Sequence, residues 1–236
     1  MPNHSPTPPG DAAASAQEAL RFAEALAGSC AQALGPTVAS VILHGSLTLG
    51  DYLPGRSDID LLVVVDDPLT DAQVDGLTEA VAAHRPQAPG AGSGLHVERR
   101  HPGERDLVVE FSMCRAHGRS LLGAAPAELI GEVPPEWVLA VGDAQLADWQ
   151  AIGDDPKHAE LTVLTTCRIW RFAEEGRFSS KPAAGAWGLA RDPTLQVVRD
   201  ALRQRHDDPA TRIDPEQVAQ LLAVVRARLA EARNDP

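Results

Sequence analysis

Two carboxylates, Asp58 and Asp60, flank a single isoleucine, and a Gly-Ser pair, Gly45-Ser46, precedes them with eleven residues between Ser46 and Asp58. The run Ile59 to Val65 is almost entirely β-branched or Leu and reads as a strand. Strand side chains alternate, so Asp58 and Asp60 are expected on one face, with Ile59 turned into the core. Two like charges on one face repel each other and resist burial unless cations lie beside them. Divalent metal suits such a pair, because Mg²⁺ takes one or two carboxylates together with substrate phosphates. Val38 to Leu43 reads as a second strand, and Gly45-Ser46 follows it at once. A glycine there lets the backbone approach a phosphate closely, while the Ser46 hydroxyl and the amides after it can donate to phosphate oxygens. Each half of this pattern is common by chance. Together, each at the proper end of a strand, they point to metal-assisted phosphate chemistry.

These residues need a scaffold. Ala14 to Leu34 is rich in Ala, Leu and Glu and predicts a helix that Gly35-Pro36 ends. Asp71 to His84 predicts a second helix, and Arg85 to Gly94 reads as a loop by composition. Leu95 to Arg99 reads as a short strand, while Leu107 to Phe111 fits either a strand or the start of a helix. The run Ile59 to Val65, apolar but for Asp60, suggests burial on both faces. Beyond Val133-Pro134-Pro135 strand patterns stop. Trp137 to Ile152, His158 to Glu175, Leu195 to Arg205 and Pro215 to Arg233 read as helices. In the last, Asp214 can cap, Pro215 suits the first turn, and Val218, Leu221, Leu222, Val225 and Leu229 form one apolar stripe. The expected organisation is a flexible tail over 1–13, an α/β domain over 14–134 and a helical domain over 135–236.

Composition narrows the class of partner. The chain has 236 residues, 44% of them hydrophobic, which is enough to build a core. It has no apolar run long enough to span a bilayer and no secretory leader pattern, so no membrane partner is expected. The three cysteines, Cys30, Cys114 and Cys167, have no metal-site spacing and read as buried free thiols in a reducing cytoplasm. A formal net charge of −12 disfavours nucleic acid and would attract a cationic small molecule.

The stretch LHGSLTLGDYLPGRSDIDLLVVV resembles the signature of the nucleotidyltransferase superfamily. Within it, the chain is similar to the aminoglycoside 3''-adenylyltransferases of the streptomycin and spectinomycin type. Three further segments carry that likeness: DLVVEFSMCRAHGRSLLG from Asp106, LADWQAIGDDPKHAELTVLTTCRIW up to Trp170, and EEGRFSSKPAAGAWGLA after it. The resemblance runs from Val38 to about Arg191. It implies an α+β protein, with a nucleotidyltransferase-fold N-terminal domain built on a mixed sheet and an all-α helical-bundle domain after it. It also implies a monomeric enzyme that moves AMP from ATP to an acceptor hydroxyl, with ATP between the domains.

The resemblance further implies roles for single residues. Ser46 and Ser57 match phosphate-contacting serines, with Gly45 part of the same ATP-binding turn, and Asp58 and Asp60 match the aspartates that hold Mg²⁺. Arg168 and Lys181 match basic residues that reach ATP phosphates; read alone, Lys181 is a solvated charge in a Gly- and Ser-containing loop. Trp149 and Asp154 match a Trp and an Asp that contact streptomycin, although Trp149 also reads as a core residue. The family has a Glu on a later strand as the base that activates the acceptor. The region between Asp71 and Asp106 is shorter here. A strict match to the family pattern puts His96 at that position, and Glu98 lies two residues on, on the same strand face. Glu98 is taken as the candidate base, with an exposed edge-strand Glu as the alternative. His158 stands where the family often has an acidic drug-binding residue.

Overall fold

The structure, a computed structural model, describes residues 9–84, 97–98 and 103–234. The chain divides between Glu132 and Val133 into two compact units. No helix among the described residues is long and apolar enough to cross a membrane.

The first unit opens with helix α1 (Pro9–Leu34). Its buried residues Ala19, Ala23, Ala27, Cys30 and Leu34 recur at helical spacing, so one narrow seam of mostly small side chains faces the core. After the 3-10 turn Gly35–Thr37 comes strand β1 (Val38–His44), then β2 (Asp60–Val65), helices α2 (Asp71–His84) and α3 (Asp106–His117), strand β3 (Arg119–Gly123) and the short helix α4 (Pro126–Leu129). The sheet order is β2-β1-β3. Both pairings are antiparallel, so the sheet expected to be mixed shows only antiparallel pairs among the described residues. β1 is the central strand, which explains why Val41, Ile42 and Leu43 are all fully buried. β2 has a described neighbour on one side only, and all six of its residues are half-buried rather than buried on both faces as its composition suggests. The segment Leu107 to Phe111, which fits strand or helix in sequence, lies in α3.

The second unit is helical: α5 (Pro135–Ile152), α6 (Ala159–Glu175), α7 (Lys181–Arg191), α8 (Gln196–His206) and α9 (Pro215–Asn234). Its core gathers on α6, where Val163, Leu164, Cys167 and Trp170 meet Leu146 of α5, Val198 of α8 and the apolar stripe of α9. Each fully buried Leu or Val contributes on the order of 2 kcal/mol by leaving water. Arg205 of α8 and Glu160 of α6 form a buried ion pair at 2.9 Å. Arg226 of α9 reaches Asp143 and Gln150 of α5 at 3.1 and 2.6 Å, which fixes those two helices together. α7 corrects the reading of Lys181 as a loop residue. Ser180 caps that helix, its hydroxyl accepting from the Ala183 N–H at 3.3 Å, and Pro182 fits the first turn.

All three cysteines are free and buried, as their spacing suggests. Burial pushes the Cys167 thiol up to about 12.

Candidate active site

The register of the sheet builds the centre of the first unit. His44, the last residue of β1, lies opposite Asp60, the first of β2. The chain between them is folded on itself. Gly45 adopts φ 72°, a left-handed value that favours glycine. The Leu49 amide donates to the Gly45 carbonyl at 3.2 Å, the Asp51 amide to the Ser46 carbonyl at 2.9 Å, and the Leu53 amide to the Ser57 hydroxyl at 2.9 Å. Asp51 and Tyr52 are buried and anchor the loop. Residues 45–50 form turns, so the amides after Ser46 belong to a turn and not to a helix N-terminus.

Gly45, Ser46, Ser57, Asp58 and Asp60 flank this junction in the chain. The space that a Gly45 side chain would fill is taken by the Asp60 carboxylate, whose Oδ2 would lie 2.0 Å from an added Cβ. The Ser46 hydroxyl is screened from solvent and makes no hydrogen bond among the described residues. A buried polar atom of this kind is uncommon in a folded protein and calls for a partner from outside the chain, a water or a ligand atom. Ser57 is half-buried, and its oxygen receives the Leu53 amide while its own proton stays available. Asp58 is exposed and stands ahead of β2, so only Asp60 is held by the strand ladder. Strand alternation therefore does not fix the two carboxylates on one face, which corrects that part of the sequence reading.

No group of three His, Cys, Asp or Glu side chains able to hold a metal exists among the described residues. The donors that the chain offers around this junction are the Asp58 and Asp60 carboxylates and the unsatisfied Ser46 hydroxyl. That set fits Mg²⁺, which takes one or two carboxylates and completes its shell with phosphate oxygens and water.

One neighbour was not anticipated. His44 Nδ1 lies 3.2 Å from Glu110 Oε2 of α3 but is not aligned for a hydrogen bond with it. Burial alone would lower the His44 pKa; the Cys114 thiol and the Glu110 carboxylate outweigh it and raise the imidazole above its ordinary value. No sequence pattern links residues 44 and 110; a helical reading of Leu107 to Phe111 was needed first. The candidate base Glu98 is exposed and lies outside regular structure, as does Val97, so these two residues do not form the expected strand. His96 and the loop Arg85 to Gly94 fall outside the described residues.

The remaining candidates belong to the helical unit. Arg168 is half-buried on α6, and Lys181 is the first residue of α7. Trp149, near the end of α5, and Asp154, in the turn after it, line one cleft of about 680 Å³ together with His158, Leu161, Ile213 and Glu216. Trp149 also packs partly against the helical core, so its two sequence readings, core and ligand contact, describe two sides of one ring. His158 Nδ1 lies 2.7 Å from Asp155 Oδ2. The hydrogen bond to His158 holds the Asp155 carboxyl below its ordinary value.

The nucleotidyltransferase domain family matches residues 24–88, and the aminoglycoside adenylyltransferase C-terminal domain family matches residues 128–231. The chain pairs a nucleotidyltransferase domain with the C-terminal domain of the aminoglycoside adenylyltransferases. It is an enzyme of the nucleotidyltransferase class, and its α+β fold is that of this family. The crystal structure of spectinomycin adenyltransferase AAD(9) from Enterococcus faecialis with ATP and spectinomycin is similar in fold. Its TM-score is 0.67 at 18% identity, over 89% of this chain and 99% of that one.

Proposed function

We propose that this adenylyltransferase-family chain transfers AMP from ATP to a hydroxyl of a cationic, aminoglycoside-like small molecule. The observation that carries the reading is the Ser46 hydroxyl, buried and without a hydrogen-bond partner among the described residues, one residue from the glycine over which the Asp60 carboxylate lies. ATP and spectinomycin in the AAD(9) structure support the same two ligand classes here.

In the proposed reaction an acceptor oxygen forms a bond to the α-phosphorus, the bond from that phosphorus to the β-phosphate oxygen breaks, and pyrophosphate leaves. Ser46 and Ser57 hold phosphate oxygens. Asp58 and Asp60 would hold Mg²⁺, which when bound supplies charge neutralisation and orientation of the phosphates. Lys181 and Arg168 add positive charge to the phosphates, where positioning and charge stabilisation carry most of the rate. Glu98 takes the acceptor proton. Trp149 supplies an aromatic face and Asp154 a carboxylate for a cationic sugar-like acceptor.

Asp58→Asn and Asp60→Asn test the reading. Each is expected to abolish AMP transfer to streptomycin or spectinomycin in Mg²⁺ while the melting temperature holds or rises, since a repulsive charge is removed. Full transfer by either variant rules the assignment out.

A further inference from the structure

The cleft of the helical unit carries three carboxylates, and they are not equivalent. Asp154 and Asp155 come from the turn after α5, and Glu216 comes from the first turn of α9. Asp155 is committed, because its Oδ2 is bonded to His158 Nδ1 at 2.7 Å. The carboxylates of Asp154 and Glu216 make no hydrogen bond or ion pair among the described residues. Both residues are exposed and stand at the rim of a concave space that also presents Trp149, Ile152 and Leu161. An apolar and aromatic wall with two unpaired anions at its edge suits a rigid ligand bearing two cationic groups, since the wall covers its body while each anion takes one cation.

We propose that Glu216 is a substrate-binding carboxylate that works with Asp154 as a two-point clamp for a dicationic acceptor, and that His158 withholds Asp155 from the same ligand. This rests on the acceptor reading of the cleft. It adds a binding residue from α9, a helix inside the matched C-terminal domain but beyond the Val38 to Arg191 stretch. It also gives His158 a defined task. Bonded to Asp155, the imidazole occupies one anion and limits the cleft to two, which selects for the number and spacing of positive charges rather than for charge alone.

The two parts predict opposite signs, and a residue that merely lined the cleft would not produce that pair. Streptomycin, which carries two guanidinium groups, is the probe, and calorimetric titration of the full chain with it reads binding independently of AMP transfer. Glu216→Gln is expected to weaken streptomycin binding by about tenfold, the scale of one charge-assisted contact, while Glu216→Asp keeps most of it. His158→Gln is expected to tighten binding by a few-fold by freeing Asp155, and the gain is lost in His158→Gln combined with Asp155→Asn. In turnover assays the same changes fall on the acceptor KM and leave the ATP KM alone.

Unchanged streptomycin affinity in Glu216→Gln overturns the clamp. Weaker binding in His158→Gln overturns the withholding role, and absence of any streptomycin binding by the parent chain overturns both. Streptomycin binding with the predicted signs, but no AMP transfer to any acceptor, sustains the clamp and defeats the transferase reading instead.

Discussion

The carboxylate of Asp60 occupies the place where Gly45 would carry a side chain, with Oδ2 2.0 Å from the position of an added Cβ and Cγ 2.9 Å from it. The two residues sit at adjoining ends of β1 and β2, which the His44–Asp60 register brings side by side. The glycine of the Gly-Ser pair therefore has two tasks here. It adopts a left-handed backbone, and it leaves a slot in which one of the two paired aspartates lies.

Gly45→Ala is accordingly expected to do more than strain a turn. The left-handed φ of 72° alone costs a non-glycine residue about 1–3 kcal/mol. The added methyl must also push the Asp60 carboxylate aside, which lowers AMP transfer by roughly a hundred-fold, the scale reached when a catalytic group is misplaced by about an ångström. Combining it with Asp60→Ala removes the colliding atoms, so denaturant unfolding of the double variant should show a cost smaller than the sum of the two single ones. Strict additivity would show that the contact has no energetic consequence.

Much of this arrangement was legible in the sequence. Composition marks Val38 to Leu43 and Ile59 to Val65 as strands, and capping residues mark α9. Three features were not legible. The strong apolar run of β2 suggests a central strand, yet the centre belongs to β1, because strand order depends on where β3 joins and no local pattern in Arg119–Gly123 announces that. α7 was hidden by Gly185 and Gly188, although Ser180-Lys181-Pro182 is a readable helix start. Gly185 is tolerated there because a Cβ would come within 3.0 Å of Leu164 and 3.1 Å of Leu202, so close helix packing outweighs propensity. The nearness of His44 and Glu110 is a tertiary contact across 66 positions and has no local signal.

The buried pair Arg205–Glu160 makes the helical unit sensitive to loss of one partner. Their side chains are only 6% and 10% exposed. Glu160→Gln removes the carboxylate that faces the buried guanidinium and is expected to cost up to about 3–5 kcal/mol in denaturant unfolding. Glu160→Met with Arg205→Leu removes both charges and should recover most of that loss. A double variant no more stable than Glu160→Gln would show that the pair contributes packing rather than charge balance.

Acid should loosen the same unit through Glu174. Burial would raise its pKa, but hydrogen bonds from Arg191 and from the Trp170 indole outweigh it and hold the carboxyl below its ordinary value of 4.5. A carboxylate whose folded pKa is depressed stabilises the fold above the unfolded value and loses that contribution as pH falls through the folded one. The melting temperature of the wild type is therefore expected to fall more steeply between about pH 5 and pH 3 than that of Arg191→Gln, which is already less stable near neutrality. Arg191 also lies 3.9 Å over the Trp187 ring, and this contact is insensitive to carboxylate titration. Parallel pH profiles for the two proteins would exclude Glu174 as the acid-sensitive group.

Glu98 carries the chemistry that the fold least constrains. It is exposed and lies outside any strand, so a general base there must be aligned by bound acceptor rather than by a sheet. Glu98→Gln keeps the shape of the side chain and leaves Asp58 and Asp60 untouched, so ATP affinity should hold. Turnover should drop by roughly a hundred-fold, the usual scale for loss of a general base. His96→Ala separates the rival base two residues earlier in the chain, since a neutral imidazole accepts protons near pH 7. A loss confined to His96→Ala would move the base to the imidazole. Full turnover in Glu98→Gln and in His96→Ala would mean that neither residue takes the acceptor proton.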